Sequence, residues 1–405
     1  MQLDTNELIA AIRRALPAGT GEVGLHEPEF AGNESKYLQD CITTGWVSYL
    51  GKYVDRFEKE LAERCGRKHA FAAVNGTAAL HAALVVVGVA AGDEVILPSV
   101  TFVASANSVV QAGAIPHLVD CESRTLGLDI DRLREHLLAV AIRKDGVTLN
   151  RHTGRKIAAI VPVHVFGQPI DHDALDRVAD EFDLPVMSDA TESLGSTWHG
   201  KPAGSFGLMS VLSFNGNKIV TTGGGGAILT DEDGLARTMR HICTTAKLPH
   251  KWAFNHDRPA FNYRLPNLNA AVGCGQLEKL DQFLADKRRL AETYRKCLAG
   301  LPGVEVMQDP PGTQSNYWLV ALKLDPSQIG RRDELLGALH DAGLKCRPLW
   351  TPMHLLPMFA SAPRMDDLSV TEEMFQRIIN LPSSARLGRK GLEGLGLGGL
   401  ESGPA

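Results

Sequence analysis

Short apolar runs alternate with stretches of helical periodicity through the first two thirds of the chain. The apolar runs predict buried strands over residues 69–74, 95–98, 117–119, 157–163, 184–188 and 210–214. The periodic stretches predict helices over residues 78–89, 102–112, 129–140 and 170–182. Because parallel strands need a crossover connection, this alternation predicts a mostly parallel sheet with helices on both faces. Ligands bind at the carboxyl ends of the strands in such sheets.

The remaining segments follow other patterns. A helix is predicted over residues 5–16 with Thr5 as its N-cap, and the polar, basic stretch 141–156 predicts an exposed loop or hairpin insertion. Beyond residue 266, two long helices (268–284 and 286–298) precede a small α+β region. The last eighteen residues contain seven glycines and no core pattern, which is typical of a disordered tail. These shifts divide the chain into an N-terminal helix and arm (1–45), a large α/β domain (46–265), a helical linker with a small α+β domain (266–387) and the tail (388–405).

Composition narrows the functional classes. Of 405 residues, 44% are apolar and 22% are charged, which is typical of a globular protein. With a net charge of -5 and no cluster of cations among aromatic residues, nucleic acid is not an expected partner. No apolar run reaches the ~20 residues that span a bilayer, and the first residues lack a secretory signal, so we expect a cytoplasmic protein without a membrane segment. The seven cysteines include no C-x-x-C pair, so we expect reduced thiols and no metal site.

Two common nucleotide-binding motifs are excluded. Gly394, Gly396 and Gly399 match G-x-G-x-x-G, but they lie in the tail with no strand before them and no helix after them. No G-x-x-x-x-G-K-[ST] sequence occurs, which excludes a P-loop.

A different set of residues lies near the ends of predicted strands. Asp189 follows the strand 184–188, and Lys218 follows the strand 210–214. Pyridoxal phosphate (PLP) needs a lysine for a Schiff base, a carboxylate for its pyridine nitrogen and donors for its phosphate. The turn Asn75-Gly76-Thr77 at the start of a helix offers such donors. Taken singly, the same residues could be a surface lysine, a helix N-cap and an ordinary turn.

Together these motifs resemble a known family, the DegT/StrS-type nucleotide-sugar aminotransferases, across residues 25–384. The resemblance rests on Asn75 to Leu80, Pro98 to Phe102, Asp189-Ala190-Thr191-Glu192-Ser193, Ser213 to Lys218 and Asn262-Tyr263-Arg264. Further motifs resemble the legionaminic-acid and perosamine subgroup, whose members aminate C4 of a nucleotide-linked 4-keto-6-deoxyhexose. They are Leu25-His26-Glu27-Pro28, Gly45-Trp46-Val47-Ser48, Tyr53 to Glu58 and Thr153-Gly154-Arg155-Lys156.

The resemblance implies a fold type I PLP aminotransferase, with a large mixed sheet domain and a small α+β domain, and it implies roles for the cofactor site. Lys218 would carry PLP and act as the base that moves the proton, and Asp189 would pair with the pyridine nitrogen. Phe102 would stack on the ring, unless it is an ordinary core aromatic residue. The phosphate would be held by Gly76, Thr77, Ala78 and Ser213, and by Asn262 of a neighbouring subunit, which makes a homodimer with shared sites a requirement.

One cofactor position and the substrate positions carry open alternatives. Glu192 matches a position near the phenolic oxygen of PLP that is often Gln or His, and a carboxylate there would repel a phenolate unless it is protonated or bridged. The resemblance places sugar or nucleotide contacts at Trp46, Ser48, Asn217 and His354, although packed core roles for the Trp and the His stay open. Arg264 would bind the carboxylate of the donor, expected to be L-glutamate, or would form a structural ion pair.

The function that follows is transfer of an amino group to C4 of a nucleotide-linked keto sugar, with or without a 2-acetamido group, for surface polysaccharide or nonulosonic acid synthesis. A sugar 3-aminotransferase and a non-catalytic sugar-binding or regulatory relative are the alternatives, and the presence of Lys218 argues against the second.

The family usually ends in an amphipathic helix after Asn380-Leu381-Pro382-Ser383. Here the glycine-rich tail replaces that helix, so we expect a shorter or less stable small domain.

Overall fold

The structure is a computed structural model that describes residues 3–389, and this part of the chain is a mixed α/β protein. Its strands are β1 (His69–Ala73), β2 (Glu94–Pro98), β3 (Ile115–Val119), β4 (Ala141–Lys144), β5 (Val147–Asn150), β6 (Ile157–Ile160), β7 (Met187–Asp189), β8 (Thr197–Trp198), β9 (Lys201–Pro202), β10 (Met209–Ser213), β11 (Gly226–Thr230), β12 (Val304–Val306), β13 (Thr313–Gln314), β14 (Val320–Leu324), β15 (Arg347–Pro348) and β16 (Ile378–Leu381). Its helices are α1 (Thr5–Ala15), α2 (Glu34–Thr44), α3 (Lys52–Arg64), α4 (Gly76–Val86), α5 (Val103–Gln111), α6 (Ile130–Val140), α7 (His172–Phe182), α8 (Asp233–Ile242), α9 (Asn267–Leu277), α10 (Leu280–Leu298), α11 (Arg332–Asp341) and α12 (Ser369–Arg377). Within residues 3–389, no helix is long and apolar enough to cross a membrane.

The central sheet is mostly parallel, as the sequence predicts. Two hydrogen-bonded groups, β3-β2-β6 and β7-β10-β11-β1, are joined by parallel bridges from Ile160 to Val186 and from Val163 to Asp189. In these seven strands, β11 alone runs against the others, since it pairs antiparallel with both β1 and β10. The apolar runs of the strands are buried on both faces between helices, which explains their continuous hydrophobicity.

This topology brings polar residues to one edge of the sheet. Because β1, β2, β6, β7 and β10 share one direction, their carboxyl ends meet at the same edge. At that edge lie Asn75, Ser99, His164, Asp189 and Ser213. The edge is therefore the expected location of a ligand site.

A second, antiparallel sheet forms near the C-terminus in the order β12-β14-β16-β15. Helices α1, α10 and α11 pack on it, and their apolar residues share one core with β14 and β16. Tyr294 of α10 is fully buried there and donates its hydroxyl proton to the carbonyl of Pro382 at 2.9 Å. Because the apolar residues of α1 lie in this same core, the N-terminal helix packs with the C-terminal region.

Several local predictions are wrong in detail. The two long helices break at residues 278–279, not at residue 285, because Phe283 and Leu284 are buried in the same core as Leu277 and continue the apolar face of α10. The N-cap of α1 is Asp4, whose carboxylate accepts from Asn6 and Glu7, and not Thr5.

The predicted disordered tail also begins too early. Gly388 ends a short 3-10 turn packed on α10, where a Cβ would lie 2.0 Å from the carbonyl oxygen of Asp286, and Arg389 pairs with Glu29 and Asp286. Residues 390–405 of that prediction lie outside the described residues.

The insertion over residues 141–156 is a hairpin of β4 and β5, and a buried carboxylate fixes it to the sheet. Glu94 is fully buried at the start of β2 and accepts hydrogen bonds from Thr153 at 2.6 Å and Asn150 at 2.9 Å. The imidazole Nδ1 of His117 lies 2.8 Å from the same carboxylate. Burial raises the pKa of Glu94, but these three hydrogen bonds outweigh burial and leave the pKa below its ordinary value.

Glu94→Ala should therefore lower the free energy of unfolding by about 3 kcal/mol, because it leaves several buried donors unpaired. The measurement is urea denaturation at pH 7, with Glu232→Ala, an exposed glutamate without a capping bond, as the control. The stabilisation by Glu94 is complete above the ordinary pKa of 4.5 and is lost as pH falls through the lower folded-state value. Equal stability of the Glu94→Ala and Glu232→Ala proteins at pH 7 would contradict this role.

Candidate active site

Asp189 ends β7 as a buried carboxylate with defined partners. Its Oδ2 accepts the hydroxyl proton of Ser105 at 2.7 Å, and its Oδ1 accepts from the backbone N–H of Thr191 at 3.2 Å. Ser105 lies on α5 and is bonded in turn to Thr101 at 2.8 Å. Buried carboxylates require such donors, so this chain fixes the direction in which the carboxylate points.

Lys218 lies close to a second carboxylate. Its Nζ is 3.1 Å from Oε1 of Glu192, and the side chains of both residues are largely buried. The same ammonium lies 3.6 Å from the ring centroid of Trp318, over its face, where a cation is favoured. The indole N–H of Trp318 donates to the carbonyl of Asn217 at 2.7 Å, which fixes the turn that carries Lys218.

Glu192 is held by two further elements. The backbone N–H of Phe166 donates to Oε2 of Glu192 at 2.9 Å. The side-chain amide of Asn316 donates to the backbone carbonyl of Glu192 at 2.8 Å and to that of Leu194 at 3.0 Å. Burial raises the pKa of Glu192, while the charge of Lys218 and the Phe166 N–H lower it, so that the net shift is upward.

An open cradle lies where β1 meets α4. A Cβ on Gly76 would lie 3.1 Å from Cβ of Ser213 and 3.2 Å from Cγ2 of Thr191, so these three residues approach closely. Asn75 caps α4, and its side chain accepts the N–H of Ala78 at 2.7 Å. The N–H of Ala78, proposed from the resemblance as a phosphate donor, is therefore already used within the helix.

The backbone of Gly226 supports this turn from below. A Cβ at Gly226 would lie 2.5 Å from the carbonyl carbon of Asn75 and 2.7 Å from the nitrogen of Gly76. No side chain fits between β11 and the turn. A helix N-terminus, a hydroxyl and close backbone approach together form a suitable site for a phosphate.

Several of the side chains that the resemblance assigns to cofactor or substrate are exposed in the single chain. Phe102 precedes α5 with 52% of its surface exposed, and its ring centroid is 6.1 Å from that of Trp350. Trp46 is 57% exposed, and Ser48 and Asn217 are exposed as well. Phe102 is therefore not a core aromatic residue, and Trp46 is not a packed one.

Arg264 and Asn262 face the surface beside β1. Arg264 makes no ion pair within the described residues; its guanidinium lies 5.1 Å from the ring of Tyr49 and 5.9 Å from that of Phe71. Its Nε is buried and lacks a hydrogen bond within residues 3–389. The structural ion pair that the sequence left open is therefore absent there. Asn262 is exposed and bridges Thr244 through the backbone.

His354 has partners inside the protein. Its Nδ1 is 2.7 Å from the hydroxyl of Ser99, and its Nε2 is 3.2 Å from Glu372. The imidazole is buried, so these contacts fit the role of a core histidine.

Sequence reasoning missed Ser105, Phe166, Asn316 and Trp318. All four come from segments that are distant in sequence from the residues they contact. Ser105 contacts Asp189, Phe166 and Asn316 contact Glu192, and Trp318 contacts Lys218. A signal existed for one of them, Asn316, because the polar Ser315-Asn316 pair lies just before the apolar run that forms β14.

Comparison with known proteins agrees with this geometry. A profile of the DegT/DnrJ/EryC1/StrS aminotransferase family matches residues 28–394. The chain belongs to this family.

Individual relatives support the assignment. The GDP-perosamine synthase of Vibrio cholerae is 38% identical over 361 residues, which cover 89% of this chain and 94% of the relative. EpsN of Bacillus subtilis, named as a pyridoxal phosphate-dependent aminotransferase, is 36% identical over 373 residues, or 90% of this chain and 92% of that one. The crystal structure of DesI with its TDP-sugar product superposes with a TM-score of 0.80 at 29% identity and covers 93% of this chain and 92% of DesI.

This family member is thus a PLP-dependent aminotransferase of the nucleotide-sugar type, with the fold predicted from the sequence. The residues at the sheet edge fit the cofactor, since Lys218, the buried Asp189 and the turn at Gly76 follow β10, β7 and β1, whose carboxyl ends share this edge. When bound, PLP supplies the carbonyl group that accepts the amine and a ring that takes up electrons.

Gly226→Ala tests the cradle. The added methyl group should displace the Asn75-Gly76 turn, weaken PLP binding about tenfold and lower the free energy of unfolding by about 1–3 kcal/mol. Gly224→Ala is the matched control, because a Cβ there meets nothing within 4 Å. The measurements are fluorescence titration with PLP and urea denaturation. Equal PLP affinity in both variants would show that the turn does not hold the cofactor.

Proposed function

We propose that this enzyme transfers an amino group from L-glutamate to C4 of a nucleotide-linked 4-keto-6-deoxyhexose. The observation that carries the proposal is the placement of Lys218 beside Glu192, at the same sheet edge as the buried Asp189. The similarity to a GDP-perosamine synthase supports C4 as the position and a nucleotide sugar as the acceptor. The cytoplasm is the proposed compartment, because both substrates are small metabolites of that compartment.

In this proposal each polar residue has a defined task. Lys218 binds the cofactor and later, as a neutral amine, moves a proton between the substrate carbon and the cofactor carbon. Asp189, oriented by Ser105, keeps the pyridine nitrogen protonated. Phe102 covers one face of the ring, and Gly76, Thr77 and Ser213 hold the phosphate.

The nucleotide sugar and the donor bind at the open rim. Trp46, Ser48 and Asn217 offer an aromatic face, a hydroxyl and an amide that are accessible at this rim. The guanidinium of Arg264, with a nitrogen that lacks a partner within residues 3–389, suits a carboxylate such as that of glutamate.

The reaction is tested with the purified protein, PLP, L-glutamate and a panel of UDP-, GDP- and dTDP-linked 4-keto-6-deoxyhexoses. We expect one of these sugars to gain an amine at C4, detected by mass spectrometry and located by NMR. Lys218→Ala should lower turnover by several powers of ten, each about 1.4 kcal/mol of barrier, because neither attachment nor proton transfer remains. An amine at C3 would replace this proposal with a 3-aminotransferase, and binding without amination would indicate a non-catalytic relative.

We further propose that the enzyme is a homodimer in which Asn262 and Arg264 reach the neighbouring site. Asn262 is exposed and Arg264 is half-buried in the single chain, and neither side chain has a hydrogen bond to another described residue. Asn262→Ala alone should weaken PLP binding by about 0.5–1.5 kcal/mol, the contribution of one neutral hydrogen bond.

A mixing experiment separates donation between subunits from donation within one. Lys218→Ala chains are combined with inactive Asn262→Ala/Arg264→Ala chains under conditions that exchange subunits. Each hybrid should regain one working site, which has Lys218 from one chain and both surface residues from the other. Exchange confirmed by native mass spectrometry without recovered activity would refute sharing.

A further inference from the structure

The pairing of Lys218 with Glu192 poses a problem that the proposed function leaves unanswered. An ammonium has no lone pair, so Lys218 cannot attack an aldehyde or accept a proton until its own proton has left. Glu192 lies 3.1 Å away, at hydrogen-bonding distance from Nζ.

The surroundings of Glu192 make it a suitable acceptor for that proton. Burial raises the pKa of its carboxyl group, and the charge of Asp189 raises it further, while Lys218 opposes both. Asp189 and Lys218 are the charged groups that face it. Within residues 3–389, the charge that still faces Glu192 once Lys218 is neutral is the Asp189 carboxylate, and a buried anion without a cationic partner is strongly disfavoured.

His26 does not supply a positive charge that could replace that of Lys218 beside Glu192. It lies on the N-terminal arm within the electrostatic field of Lys218, and burial holds its pKa well below the ordinary value, with Lys287 and Lys218 lowering it further. The imidazole is therefore neutral near pH 7 and cannot balance a carboxylate at Glu192.

Two residues near Glu192 have a strained backbone. Phe166 donates its N–H to Oε2 from a left-handed conformation, with φ at 56°, and Tyr317, next to Trp318, has φ at 48°. Bulky residues rarely adopt this region, and such strain persists where the surrounding structure fixes it. Oε2 is occupied by this bond, so Oε1 is the oxygen left facing Lys218.

From this arrangement we propose that Glu192 takes the proton of Lys218 when PLP attaches and then stores it as a buried carboxylic acid. The step balances: the ammonium of Lys218 loses a proton, the carboxylate of Glu192 gains it, and the neutral amine forms a C=N bond to the aldehyde with release of water. Glu192 is then a neutral group that can donate a hydrogen bond towards the phenolic oxygen of PLP. The proposal rests on PLP attachment at Lys218, the first step of the proposed function.

The test is difference infrared spectroscopy of the PLP-loaded enzyme minus the free enzyme. Loading should produce the carbonyl band of a protonated carboxylic acid, and this band should shift in deuterated water. Glu192→Gln keeps the acceptor for the Phe166 N–H but cannot store the proton, so the band should be lost. Glu58→Gln is the matched control and should retain it, because Glu58 is a buried acid paired with Arg240 at 2.8 Å, away from Lys218.

The outcomes distinguish this inference from the proposed function. Visible absorption of PLP fixed to Lys218 without a carboxylic acid band, or a band that survives in Glu192→Gln, would refute proton storage and leave the cofactor site intact. Absence of PLP attachment at Lys218 would refute the proposed function itself.

Calorimetry on the unmodified enzyme gives a second measurement should Glu192→Gln fail to fold. At about pH 8, where the PLP phosphate is fully ionised, binding heats are compared in buffers of different ionisation enthalpy. Internal transfer predicts no net proton exchange with the buffer together with the visible spectrum of an unprotonated C=N group; release of about one proton per site, or the spectrum of a protonated C=N group, would refute it.

Discussion

Charges that are removed from water must find partners, and this constraint shapes the whole sheet edge. Asp189, Glu192 and Lys218 are all largely buried. An isolated ion in such a place is very costly, so each must be neutralised or hydrogen bonded. The partners come from three sources: α5 supplies a hydroxyl, the turn after β6 supplies a backbone N–H, and the segment before β14 supplies the indole of Trp318.

This requirement also joins the two sheets of the protein. Asn316 and Trp318 enter the C-terminal antiparallel sheet through β14, yet they contact Glu192 and Lys218 at the edge of the parallel sheet. Asn316 also accepts the N–H of Trp318 at 2.7 Å, so one amide side chain holds both parts of the connection. A shift of β14 would therefore alter the surroundings of Lys218, which links the C-terminal core to the edge of the parallel sheet.

The sequence predicts what depends on local pattern. The sequence predicts the parallel strands to within a few residues, because their apolar runs are continuous and buried on both faces, but it does not predict β11. The placement of Asp189 and Lys218 at one edge of the sheet follows from the shared direction of β7 and β10. The break between α9 and α10 was misplaced, because residues 268–298 have no glycine or proline at the true boundary and tertiary packing of Leu277 and Leu280 decides it. The contacts of Ser105, Phe166 and Asn316 are not predictable from local sequence, because each joins segments that are far apart in the chain. The contact of Phe166 also depends on its positive φ, which its residue type does not indicate.

The single chain leaves one side of this site incomplete. The aromatic side chains of Trp46 and Phe102 are more than half exposed, and the buried Nε of Arg264 has no hydrogen bond within residues 3–389. Exposed aromatic side chains and an unsatisfied buried donor are each costly in an isolated monomer, and such groups mark surfaces that a ligand or partner covers. A second subunit and the substrate together would cover the rim and supply acceptors for Arg264. In the proposed dimer, the charged centre is then satisfied from within each chain, whereas the rim is completed only by assembly and substrate binding.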